Sequence, residues 1–262
     1  MTSTLIINLR GTLASRKDKG TVRVIRIGTS GWTYKHWRNV FYPEGLNQRM
    51  WLEYYSERFD TVELNASFYR IPKSNVAEGW YRRTPDYFRF SVKVSRLITH
   101  VRRLADCENE LDWFFSAMEP LHAKTAVFLF QFPPSFYPDM RLLRDFMNKL
   151  PQGNRYVYEF RNPDAYSGSV PEMLAERNAS FCIHDLAGCE TPPLVTSDLV
   201  YIRFHGHEGR YTGDYPDETL TEWAEKIRAW KRQGKQVFAY FNNDLGGHAV
   251  RNAGTLLQLT GS

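Results

Sequence analysis

The chain has 262 residues, the size of one (β/α)8 barrel domain. Its hydrophobic fraction is 42%, yet no apolar run approaches the roughly 18–20 residues that span a bilayer, so no membrane helix is expected. The net charge of +5 admits an anionic ligand or nucleic acid without demanding either, and reads mainly as solvated surface.

Three cysteines, Cys107, Cys182 and Cys189, are too few and odd in number for a disulfide framework. They fit a reducing, cytoplasmic setting. Residues 1–22 are basic and nearly free of acid, and they lack a secretory h-region and cleavage site. They read as a flexible N-terminal extension, a frayed tail or the product of an upstream start codon, with an organellar presequence as the alternative, and residues 23–262 form the domain.

Strand and helix patterns alternate along the chain. "RIGTS" (26–30) is a first strand, followed by a helix over 47–59 with Met50, Tyr54 and Phe59 on one face. "TVELN" (61–65) is the second strand, and a helix over 74–83 stops before Pro85. "YFRFSVKV" (87–94) alternates strictly, and the helix at 108–121 spaces Leu111, Phe114, Phe115 and Met118 helically. Strand 125–132 ends at two prolines, and an amphipathic helix follows at 139–150. Strand 155–160, helix 169–178, strand 180–184 and strand 199–205 come next. Helix 217–234, strand 236–242 and helix 248–259 close the chain. Repeated strand–helix units predict an α/β fold, a single (β/α)8 TIM barrel with an irregular N-terminal tail.

Alternation then assigns the side chains. Val62 and Leu64 face the helices, so Glu63 and Asn65 point into the barrel. The same phase sends Ser91, Lys93, Gln131, Glu159, Arg161, Tyr201, Arg203 and His205 inward. Asn242 is in phase with Phe238 and Tyr240. The sixth strand leaves two phases open, Cys182 with His184 or Ile183 with Asp185. These polar residues gather at the C-terminal strand ends, where barrel enzymes carry their active sites.

Seven segments resemble the domain of unknown function 72 family: "IGTSGWTYKHWRNVFYP" (27–43), "TVELNASFYRIP" (61–72), "FRFSVKVSRLITH" (88–100), "LFQFPPSF" (129–136), "YEFRN" (158–162), "YIRFHGH" (201–207) and "FAYFNNDLGGHAVRNA" (238–253). The resemblance implies a TIM barrel of unestablished reaction, likened in shape to barrel endonucleases that act at abasic DNA sites. Two positions depart from the family pattern: Asn162 stands where a histidine is common, and His207 where an arginine often stands.

Glu63, Glu159 and His205 are the candidate catalytic groups, suited to hydrolase- or lyase-like acid/base chemistry. Asn65, Lys93, Gln131, Arg161, Arg203 and Asn242 are candidate substrate-binding groups, since Arg and Lys hold phosphate or carboxylate. Trp32 and Tyr69 are candidates for stacking a sugar or base at the rim. His184, Asp185, His205, His207 and His248 lie near strand ends, but Asn65, Lys93, Gln131 and Arg161 occupy the places where a zinc cluster needs ligands. No metal and no cofactor are therefore expected. The expected partner is a small anionic, phosphorylated or sugar-like substrate; a nucleic-acid or abasic-site nuclease function and a non-catalytic ligand-binding barrel are the alternatives.

Overall fold

Short β-branched and aromatic runs become strands, and the amphipathic segments between them become helices that cover the outer face. The computed structural model describes residues 24–186, 189–209 and 211–262; the expected extension over residues 1–22 lies outside the described residues. The strands are β1 (Ile25–Thr29), β2 (Thr61–Leu64), β3 (Arg89–Lys93), β4 (Thr125–Gln131), β5 (Tyr156–Glu159), β6 (Ser180–Leu186), β7 (Cys189–Glu190), β8 (Leu199–Phe204) and β9 (Gln236–Phe241). Around the barrel the order is β1-β9-β8-β6-β5-β4-β3-β2, with every neighbouring pair parallel. The two-residue β7 turns back antiparallel onto β6 and stands outside that path. This is the (β/α)8 barrel that the alternation implies.

Eight α-helices accompany the strands: α1 (Trp51–Ser56), α2 (Ala66–Tyr69), α3 (Ser74–Arg82), α4 (Glu108–Met118), α5 (Met140–Lys149), α6 (Ser169–Glu176), α7 (Asp217–Arg232) and α8 (His248–Thr260) among the described residues. Asp139 caps α5 through its side chain, accepting from Leu142 N–H. The outer faces of β4, β5 and β6 carry a run of stacked rings, Phe130 on Tyr158, Phe132 on Phe160, and Phe160 on Phe181. Each such fully buried ring contributes about 1.5–3 kcal/mol by leaving water. A smaller core fills the barrel interior with Val127, Leu129, Val157, Cys182, Leu199, Tyr201, Phe238 and Tyr240. The sixth strand is thereby settled: Cys182 packs in the barrel interior, and Ile183 joins the outer core.

Between β1 and β2 the ladder thins to one bridge, Ser30 with Glu63. The Tyr55 hydroxyl replaces the missing bonds, accepting from Thr29 N–H at 2.9 Å and donating to the Thr61 carbonyl at 3.1 Å. Gly28 allows this approach, because a Cβ there would lie 2.3 Å from Thr61 O. Gly28 is thus the strand residue whose missing side chain lets the barrel seam close. At the other end of the seam, Arg26 donates to the Asp60 carboxylate at 2.9 Å.

Three details differ from the sequence reading. Met50 is 47% exposed, and α1 instead buries Trp51, Leu52 and Tyr55. The helix is shorter than its pattern because Gln48–Met50 forms a separate 3₁₀ turn. The short α2 and a π-turn over Leu97–Val101 carry no helical periodicity of their own. Tertiary contact builds α2 at least: Ser67 Oγ donates to the Lys93 carbonyl at 2.7 Å and docks the turn on the end of β3.

Candidate active site

Strand register stacks the polar side chains in layers. Glu63 lies level with Ser91, Gln131 with Glu159, and His184 with Arg203. Arg203 stands at the centre and is 1% exposed. Its Nε and Nη2 grip Glu63 with two bonds at 2.9 and 2.8 Å, and its Nη1 donates to Glu159 Oε2. Glu63 also accepts from Ser30 Oγ and Tyr201 Oη, both at 2.8 Å. Glu159 Oε1 accepts from Arg161 Nε at 2.9 Å. Neither carboxylate is solvent exposed. Burial opposes ionisation of Glu159, but Arg203 and Arg161 outweigh it and hold its carboxyl well below the usual range. Two carboxylates and two guanidinium groups therefore cancel in formal charge.

Lys93 stands outside that balance. It is 7% exposed at the C-terminal end of β3, and its Nζ sits 3.9 Å from the Phe68 ring centroid. Among the described residues no carboxylate or carbonyl takes a hydrogen bond from its amine. Lys124, the other buried lysine, has an ordinary structural environment: its ammonium donates to the Tyr81 and Thr84 carbonyls at 2.7 and 2.6 Å. Burial first, then Arg203, brings the Lys93 amine down to about 7, against the pull of Glu159 and Glu63. It also depresses the nearby His100, where burial and then Lys93 bring the imidazole to about 4.

His205 is fully buried. The Asn242 amide nitrogen lies 3.2 Å from its Nδ1 and can only donate, so the neutral ring carries its proton on Nε2. That Nε2 has no hydrogen-bond partner and lies 3.8 Å from Glu159 Oε1. Burial, then Arg203, keeps the ring well below the ordinary histidine range. Its backbone N–H is held by Asp185, whose other oxygen accepts from Tyr215. The neighbouring His184 donates from Nε2 to the Phe160 carbonyl at 3.0 Å, leaving Nδ1 unpartnered.

The remaining candidates spread over the mouth. Asn65 follows β2 and its buried Oδ1 has no partner. Gln131 turns its amide onto the Phe132 carbonyl. Trp32 is half-buried, edge-on to Trp80 at 6.1 Å, while Tyr69 is 74% exposed at the rim. The departing residues have separate fates. Asn162 caps the turn after β5 by accepting from Asp164 N–H, and His207 is exposed. Among the described residues no three His, Cys, Asp or Glu side chains converge in a way that could hold a metal ion.

Sequence reasoning missed Ser30 and His100 as parts of this site. Ser30 was findable, because Ile25 and Ile27 face the outer core and the same phase turns Ser30 inward. His100 reaches the site through the π-turn, which has no sequence period to read.

An eight-stranded parallel barrel with a buried Glu–Arg network at its C-terminal mouth defines a TIM-barrel protein with a polar interior site. A profile described as "Protein of unknown function DUF72" matches residues 26–262, and the chain belongs to that family. It is 30% identical to the UPF0759 protein YunF of Bacillus subtilis, over 90% of this chain and 94% of that one. A solved DUF72 family structure from Thermotoga maritima superposes with a TM-score of 0.81 at 29% identity, covering 92% of this chain and all of that one. Another, from Enterococcus faecalis, gives 0.78 at 23% identity, covering 91% and 96%. Among the described residues no helix is long and apolar enough to cross a membrane.

Proposed function

We propose that the protein is an enzyme that binds a small anionic, phosphorylated or sugar-like substrate at the barrel mouth and moves protons on it. The observation that carries this reading is a set of buried polar groups left without partners. Asn65 Oδ1 and His205 Nε2 are such groups, at the C-terminal ends of β2 and β8, and the nearly buried Lys93 amine, which meets only the Phe68 ring, stands at that of β3. Folded proteins rarely leave such groups unmade, and each costs about 1–3 kcal/mol unless a ligand or water meets it. Glu63, whose oxygens accept four hydrogen bonds against two at Glu159, anchors Arg203. Proton transfer falls to Glu159 and His205, an ionised carboxylate beside a neutral imidazole. Lys93 and Arg161 supply the positive field, with Asn65, Gln131 and Asn242 orienting the substrate. A lining of Lys93, Arg161 and Arg203 favours an anion over a metal ion at this position.

The test is a thermal-shift series of phosphorylated and carboxylated metabolites against their neutral congeners. A ligand at a hundred times its Kd stabilises by about 2.7 kcal/mol, or roughly 5–10 °C for a chain of this size. The reading predicts such shifts for small anions, reduced by Asn65→Ala. It fails if no anion shifts the melting temperature. A nucleic-acid reading is supported by Tyr69, which stands exposed beside Arg70 with exposed Arg96 and Arg102 on the neighbouring loop. It requires oligonucleotide affinity that falls steeply with salt.

A further inference from the structure

The amine of Lys93 has a more specific use than charge. We propose that Lys93 is a carbonyl-capturing nucleophile, forming an imine with an aldehyde or ketone carried by an anionic substrate. This rests on the anion-binding reading above and names the substrate class.

Three observations support it. First, the two carboxylates nearest the site are already matched by Arg203 and Arg161, so no acid is reserved to keep Lys93 protonated. Second, the amine is buried over the face of the Phe68 ring, which α2 holds in place through Ser67; the ring attracts an ammonium, but burial removes more of its hydration than the ring returns. Lys124 also lies over a ring, Tyr81 at 4.4 Å, but its ammonium has carbonyls to donate to, which Lys93 lacks. Third, the group sits at a strand's C-terminal end, at the same mouth as two unpartnered atoms: His205 Nε2–H, a donor for a substrate oxygen, and Asn65 Oδ1, an acceptor for a substrate hydroxyl. With its amine at about 7, half of Lys93 is unprotonated at neutral pH. That is about a thousandfold more free amine than an ordinary lysine offers.

The chemistry balances without an oxidant or reductant. The Nζ lone pair attacks the carbonyl carbon, and proton transfer from nitrogen to oxygen gives a carbinolamine. Uptake of one proton and loss of water leave a protonated imine on Lys93. Its positive charge meets the same balance as the ammonium, with burial and Arg203 against it and Glu159 and Glu63 for it. Hydrolysis reverses each step and returns the free amine.

The experiment is borohydride trapping followed by peptide mass mapping, with glyoxylate and dihydroxyacetone phosphate as probes. Glycolate and glycerol 3-phosphate, which lack the carbonyl, serve as binding controls in parallel thermal shifts. The proposal predicts a reduced adduct on the peptide containing Lys93 at pH 7, in at least about tenfold excess over any other lysine given its free-amine advantage. Lys93→Arg should abolish that adduct while circular dichroism and melting temperature show a folded protein. Lys93→Met is the second variant if arginine does not fold. Adducts scattered over surface lysines and unchanged in either variant would overturn the imine. Thermal shifts by both carbonyl and control anions without a Lys93 adduct would overturn the imine but leave the anion site standing. No shift and no adduct with any of the four would overturn both.

Discussion

Replacing Lys93 by methionine should stabilise the protein, and the gain should depend on pH in one direction. The lysine is buried without an acceptor, and the attraction of the Phe68 ring offsets only part of the lost hydration, so the folded state disfavours its charged form. A fall from 10.5 to about 7 corresponds to a penalty of up to ~5 kcal/mol on the ammonium. The unfolded chain keeps this proton until about 10.5, whereas the folded protein releases it near 7. Between those values the unfolded state binds more protons, so wild-type stability rises with pH relative to the variant. Below 7 both states are protonated and the full penalty applies. Methionine keeps most of the apolar stem and adapts its shape, so its packing cost is small. Urea unfolding of both proteins at pH 6, 7, 8 and 9 reads the difference directly. The variant's advantage should be largest at pH 6, shrink by about 1.4 kcal/mol per pH unit above 7, and vanish near 10. A difference that stays constant from pH 6 to 9, or a variant less stable throughout, would refute the reasoning.

Other substitutions probe the rest of the account. Glu159→Gln leaves Arg203 and Arg161 short of a buried counter-charge and should cost about 3–5 kcal/mol in urea unfolding. Arg82→Ala, which removes only the exposed pair with Glu78, should stay within about 0.5 kcal/mol. Tyr55→Phe deletes the hydroxyl that spans the barrel seam and should cost about 1–3 kcal/mol, with faster amide exchange at Thr29. Tyr69→Ala should change stability by less than about 0.5 kcal/mol yet weaken any ligand that stacks at the rim, a split visible by calorimetry.

Much of the barrel could be read from period-two alternation, because each strand has one face on the helices and one in the interior. Val62 and Leu64 facing outward are enough to turn Glu63 inward, and the same logic found Lys93, Glu159, Arg161 and Arg203. The sixth strand resisted because both Cys182 and Ile183 are apolar enough for either side, and only packing against neighbouring strands chose between them. Charge pairing was also beyond the alternation. It brought the carboxylates and cations to one end, but it could not show that Arg203 engages both Glu63 and Glu159 and so leaves Lys93 alone. The contact of Phe68 with that amine depends on a four-residue helix held by Ser67, a tertiary feature without a local pattern.

The most direct test is an NMR titration of protein labelled with ¹³C at the lysine ε-carbon, with the Lys93 signal assigned by its loss in Lys93→Arg. A midpoint at about 7 is the predicted result and marks an uncompensated amine available as a nucleophile at neutral pH. A midpoint near the ordinary lysine value of about 10.4 would contradict the account, because it would mean that Lys93 is held as a plain cation within the network.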